Sequence, residues 1–254
     1  MSNPILSDER WSEIRNTEDT AVTDQMTIGG VINKSMLLLV ITLVTMGVFW
    51  MTFFKNGQVV PGFYPWMIGG VIVGLLCVLV QMFATRWTGI IAPLYAGAQG
   101  LVLGGLTLIV ENIPKYQGIA SLAAVLTTGT MLGMLFLFKT GIIKVSKGFA
   151  TGVIVATVGL MLGVGLLALL SLFGIGTELR SALNGSGWIG LGFSAFCIIL
   201  ATMNLLVDFW FIKESADKGS PKYMEWVGAF ALLVTLVWLY IEFVLLLMKL
   251  RGRD

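Results

Sequence analysis

The 254-residue chain has no histidine. Imidazole is the usual general base at neutral pH and the commonest transition-metal ligand, so Ser-His hydrolysis and His-ligated haem or zinc are excluded together. Charge is scarce as well: Asp, Glu, Lys and Arg make up 12% of the residues, about half of the roughly 25% found in soluble domains. The two cysteines, Cys77 and Cys197, lie inside apolar runs, where a thiol behaves as a small hydrophobe, and both are expected to be inert core thiols. The net charge is +2 and the basic residues are scattered rather than gathered in a stripe, so the chain has no electrostatic footprint for nucleic acid.

What it has instead is apolar length: 57% of the residues are hydrophobic and the mean hydropathy is +0.91. A helix needs roughly 20 apolar residues to cross a hydrocarbon core about 30 Å thick. Runs that meet this length lie at 35–54, 63–84, 87–110, 119–138, 149–173, 187–212 and 223–248, separated by Gly, Pro and charged residues. The pattern predicts an all-α polytopic membrane protein, a bundle of seven transmembrane helices over residues 30–250, with the lipid bilayer as its main partner and a short polar tail at 251–254. Residues 1–29 are polar and acid-rich (Asp8, Glu9, Glu13, Glu18, Asp19, Asp24). They lack the basic stub and short apolar core of a secretory signal, so the first span is expected to stay in the mature protein. With few large apolar residues beyond Ile5, Leu6, Trp11 and Ile14, this leader is expected to be disordered until bound.

Lys and Arg favour the cytoplasmic side. An inside N-terminus puts Arg10, Arg15, Lys34, Arg86, Lys139, Lys144, Lys147, Lys213, Lys218 and Lys222 there, against Lys55, Lys115 and Arg180 outside. Seven spans then leave Lys249, Arg251 and Arg253 outside, so either the charge bias is outvoted at that end or one span is re-entrant. Small residues recur at four-residue spacing, as Gly70/Gly74, Gly100/Gly104, Gly129/Gly133 and Gly159/Gly163. They are expected to be packing faces, because lipid supplies no hydrophobic drive for helix association. Trp66, Trp87, Trp188, Trp210, Tyr223 and Trp226 fall near span ends, as interfacial anchors do.

Ionisable side chains inside spans cost roughly 2.5–3.5 kcal/mol at a helix centre and are candidate functional residues by default. Asp208 lies in the sixth span with Asn204 one turn earlier on the same face. Glu225 opens the seventh span. If the sixth span ends near Ile212 and the seventh begins near Tyr223, Asp208 and Glu225 share one depth, and two poorly hydrated carboxylates there would hold a proton or a hard cation. Glu242 lies about five turns beyond Glu225, towards the other face, with Glu111 at the end of the third span. An aspartyl protease needs two aspartates in its spans and only Asp208 qualifies. Ser194 lacks a histidine base, and Lys222 and Lys249 only flank the seventh span, where a retinal Schiff base needs a mid-helix lysine. No enzymatic activity and no cofactor are expected.

Four stretches carry a resemblance: Gly30-Val31-Ile32-Asn33-Lys34, Leu206-Val207-Asp208-Phe209, Pro221-Lys222-Tyr223-Met224-Glu225-Trp226 and Leu239-Tyr240-Ile241-Glu242. From about Gly29 to Lys249 the chain resembles the bacterial, YccA-like branch of the Bax-inhibitor (transmembrane Bax-inhibitor-motif) superfamily. The resemblance implies a bundle with one central helix in a bacterial cytoplasmic membrane. It implies a pH-sensitive leak for calcium or protons, or a stress-related regulator of membrane proteins; the exposed acidic leader is the expected handle if the chain instead binds other membrane proteins such as a quality-control protease. The family's sensor is an aspartate pair in the sixth and seventh spans. Asp208 matches the first; for the second, the string match gives Glu242, depth points near Leu233, and Glu225 stays open. Asp208 and Glu242 would then be the calcium ligands, and Arg86 a loose counterpart of the family's latching arginine.

Overall fold

The computed structural model describes residues 25–55, 58–140, 142 and 145–253. Expectations for residues 1–24, for Lys144 and for the Lys139 side chain lie outside the described residues. The elements are α1 (Ile28–Phe53), a two-stranded hairpin β1 (Phe54–Lys55) and β2 (Gln58–Val59), α2 (Tyr64–Phe83), α3 (Thr88–Glu111), α4 (Ile119–Lys139), α5 (Lys147–Ser171), a short α6 (Thr177–Asn184), α7 (Trp188–Asp217) and α8 (Met224–Arg251). Among the described residues, seven helices are long and apolar enough to cross a bilayer. The chain is an integral membrane protein, and each of the seven expected apolar runs is a continuous helix of spanning length.

The largest departures from the hydropathy reading fall where polar residues continue a helix. α1 begins at Ile28, seven residues before its apolar run, because Thr27 caps it: its Oγ1 accepts from Gly30 N at 2.9 Å. α7 runs on to Asp217, past the apolar run that ends at Ile212, with Glu214 and Lys218 paired at 2.8 Å one turn apart. The amphipathic α6 occupies what reads as a Gly-rich loop. Here the polar residues form a helix too short to span.

α8 is the central helix. It packs against α1, α3, α4 and α7, and Leu233, Leu236, Leu239, Tyr240 and Val244 are buried along its length. α1 and α3 run parallel beside it, α2 packs on the far side of α3, and α5 leans mainly on α7.

Close packing through glycine holds for two of the paired stripes and part of the bundle only. A Cβ at Gly100 would stand 2.6 Å from Thr45 Cβ and 2.7 Å from Thr42 O, and one at Gly104 would meet the Phe49 ring. Gly70 and Gly74 receive α3 in the same way, at Ala98 O and Gln99 Nε2. By contrast, Gly129, Gly133, Gly159 and Gly163 meet nothing within 4 Å. α4 turns Ile119, Ala123 and Thr127 into the bundle, and at 100° per residue Gly129 points almost oppositely. α5 likewise buries Ala150 and Val153, leaving its glycines on the outward face.

The expected outcome is therefore asymmetric. Gly100→Val should destabilise the detergent-solubilised protein by about 1–3 kcal/mol through overpacking. Gly129→Ala should be neutral, or stabilising by the helix preference of alanine. Thermal unfolding of the two variants side by side checks this.

Candidate functional site

The polar groups of the membrane part are strung along α8. At the end where α1 begins, Glu225 is 2% exposed, and its Oε1 accepts from Thr27 N at 3.0 Å and Thr27 Oγ1 at 2.9 Å. Its Oε2 takes the Lys34 ammonium, which also lies 5.3 Å from the centroid of the Trp226 ring. A Cβ at Gly30 would overlap the Glu225 carboxylate, so only glycine leaves room for it. The Gly30–Lys34 and Pro221–Trp226 stretches, separate in sequence, are thus two halves of one contact. The strap is completed by Met26 N donating to Ser220 O at 2.7 Å and by the Gln25–Pro221 bridge.

Asp208 is elsewhere. Its Oδ2 accepts from Thr235 Oγ1 at 2.6 Å, with Thr235 buried in α8. Because α7 continues to Asp217, Asp208 lies about 13 Å from that helix end, at about 1.5 Å per residue. The antiparallel register agrees: a Cβ at Gly228 would stand 3.0 Å from Ile212 Cγ1. The shared depth expected for Asp208 and Glu225 is therefore corrected, with Glu225 ten residues, or about 15 Å, from Thr235 along α8. Glu242 lies two turns the other way, about 10 Å beyond Thr235 on the same face of α8, half-buried and accepting from Trp238 Nε1 at 3.1 Å. The structure puts a threonine hydroxyl, rather than Glu225 or Glu242, against Asp208.

The remaining candidates separate as well. Asn204 turns to α5, its Nδ2 donating to Thr157 Oγ1 at 2.6 Å and to Leu200 O at 2.9 Å. Glu111, at the end of α3, caps the start of α4, accepting from Gly118 N at 2.9 Å and Ala120 N at 3.4 Å. Arg86 is exposed on the one-turn helix Thr85–Trp87. No group of three or more Cys, Asp or Glu side chains converges among the described residues. Calcium takes six to eight oxygens, so Asp208 with Thr235 does not build a resident calcium site, and Glu242 is not placed to complete one. Cys77 and Cys197 are buried, free thiols.

The pattern of spans, the central helix and the joined motif contact can be set beside known proteins. A family model described as Bax inhibitor 1 like matches residues 3–252. The chain belongs to that family. Neither a curated protein nor a solved structure matches it. The match begins within the acidic leader, so for this Bax inhibitor 1 like protein the family unit takes in residues that the motif resemblance, starting near Gly29, leaves aside.

Two residues of this Bax inhibitor 1 like chain escape a reading of charges and motifs. Thr235 carries no signal: a lone threonine in an apolar helix usually bonds its own backbone. Lys249 does carry one, since it follows Glu242 by seven residues on one helix face. Its ammonium meets Ser194 Oγ at 2.8 Å. The other two cations that close the chain are also bound, Arg251 by Gln117 O at 2.6 Å and Arg253 over the Trp188 ring at 4.2 Å. The excess of charge there is held by protein groups.

Removing one partner of a buried ion pair strands the other, at a cost of about 3–5 kcal/mol. Glu225→Ala should lower stability by about that much, because Lys34 and both Thr27 donors lose their acceptor. Glu214→Ala, which removes an exposed pair, should leave the unfolding temperature unchanged. Differential scanning fluorimetry in detergent checks both, and equal shifts would contradict the assignment.

Proposed function

We propose that this protein is a passive, proton-responsive cation pathway controlled by the Asp208 carboxylate. The reading is carried by one observation: a carboxylate inside the bundle, about 13 Å from its helix end, held by the 2.6 Å hydrogen bond from Thr235. Membrane proteins keep such groups where they face a bundle interior and serve ion or proton movement. A protonated Asp208 is neutral and offers a cation nothing; an ionised one attracts it. Flux should therefore rise with pH.

Calcium enters as cargo, through the resemblance. With one carboxylate and a hydroxyl beside it, a calcium ion at Asp208 would keep most of its water, since it prefers six to eight oxygens. Protons and hydrated monovalent cations place fewer demands on this donor set. The second reading, a non-conducting regulator that grips other membrane proteins, is favoured by the strap of Gln25 and Met26 on the α7–α8 loop. A partner bound to the leader would pull directly on the loop that enters α8.

Reconstituted protein in liposomes, loaded with calcium-sensitive or pH-sensitive dye, tests the proposal. Wild type should leak faster in mildly alkaline than in mildly acidic buffer. Asp208→Asn should fall to the rate of empty liposomes and lose the pH dependence, while deletion of residues 2–24 leaves flux intact. Equal flux in wild type and Asp208→Asn rejects the pathway. Loss of partner capture on the same deletion would then favour the regulator.

A further inference from the structure

The face of α8 that meets Asp208 ends in a sealed cation. Thr235, Glu242 and Lys249 follow one another at seven-residue intervals, so all three project on one side of the helix. Thr235 and Lys249 both contact α7. Lys249 is 8% exposed, and its ammonium donates to Leu183 O at 2.7 Å, Gly190 O at 3.1 Å and Ser194 Oγ at 2.8 Å. An ammonium has three donors, and each has an oxygen, one from the end of α6 and two from the first turns of α7. Ser194 itself is 1% exposed.

This arrangement does not fit a serine nucleophile with a lysine base. A base needs a free lone pair, and here every N–H of the ammonium is engaged by an acceptor. Nor does packing call for a charge, since an apolar side chain of similar length closes a helix seam without desolvating an ion. What a fixed ammonium adds is a positive field across the part of the seam between Glu242 and the bundle end. Fixed cations in membrane pores exclude mobile ones in the same way.

We propose that Lys249 is a cation-repelling plug, closing the end of the α7–α8 seam opposite Glu225 and limiting the pathway that Asp208 controls. The proposal rests on the Asp208 reading above. The oxygens around the ammonium hold it in place; its charge turns back the ions that Asp208 attracts, so the resting leak is small.

Liposome flux of calcium and of protons separates the possibilities. Lys249→Met keeps the length of the side chain and removes the charge. Lys249→Gln removes the charge and keeps two N–H donors for Ser194 and the carbonyls, so it covers the case in which the methionine variant fails to fold. Both, if monodisperse in detergent, should raise flux by about tenfold or more, as expected for removing a like charge a few ångströms from a passing ion. Lys249→Arg should stay at the wild-type rate, and Asp208→Asn added to Lys249→Gln should return flux to background. If Asp208→Asn alone abolishes flux while Lys249→Gln and Lys249→Met match wild type, the plug is wrong and the pathway stands. If Asp208→Asn matches wild type, the pathway falls and the plug with it.

Discussion

The structure depends on how α8 is held in register. Lipid tails are as apolar as leucine, so burying a leucine between helices gains little over leaving it in lipid, and position along the axis must come from close packing and polar ties. α8 has such a tie at each level. Glu225 binds Thr27 and Lys34 of the first helix and its cap, Thr235 binds Asp208 of α7, Tyr240 meets Thr107 of α3 at 3.2 Å, and Lys249 and Arg251 fasten the start of α7 and the α3–α4 turn. A slide of α8 by one residue, about 1.5 Å, would stretch every one of these bonds. The glycine contacts of α1, α2 and α3 then need only bring backbones together, because the axial position is already set.

Hydropathy made the spans legible because the bilayer imposes one length on every helix that crosses it. The ends were less legible because they are decided by polar residues, which the hydropathy pattern treats as breaks. Lys213 to Asp217 reads as a loop and folds as another turn and more of α7. That single extension moved Asp208 away from the helix end and undid its expected partnership with Glu225. Glycine spacing, similarly, identifies a smooth face but not which way it points. That depends on the helix's other side, and α4 and α5 turn their larger buried stripes inward.

The motifs were legible in a different sense. Gly30, Lys34, Glu225 and Trp226 drew attention as strings without any stated reason to occur together. The fold supplies the reason, since a carboxylate buried at 2% exposure needs a cation, a cap donor and a neighbour with no side chain. Thr235 was beyond reach, as nothing in an apolar helix distinguishes a threonine that bonds across to another helix from one that bonds its own turn. Lys249 was within reach through its seven-residue interval from Glu242, but the bias of basic residues toward the cytoplasm cast it as an anomaly of orientation rather than as part of a face.

The two ends of the α7–α8 seam differ in kind, and this bears on the proposed pathway. At the Glu225 end the charges are neutralised within the protein, the carboxylate by Lys34 and by hydrogen bonds from Thr27. At the other end Lys249 meets only neutral oxygens, so its positive charge is solvated but not cancelled, and Glu242 two turns away is the nearest acid along that face. Between them Asp208 has a hydroxyl for company. On the proposed reading, a cation would therefore meet neutralised charge at one end, an attractive carboxylate inside, and a repelling ammonium at the other. Control is then divided in this chain between the Asp208 carboxylate and an ammonium fixed by three hydrogen bonds.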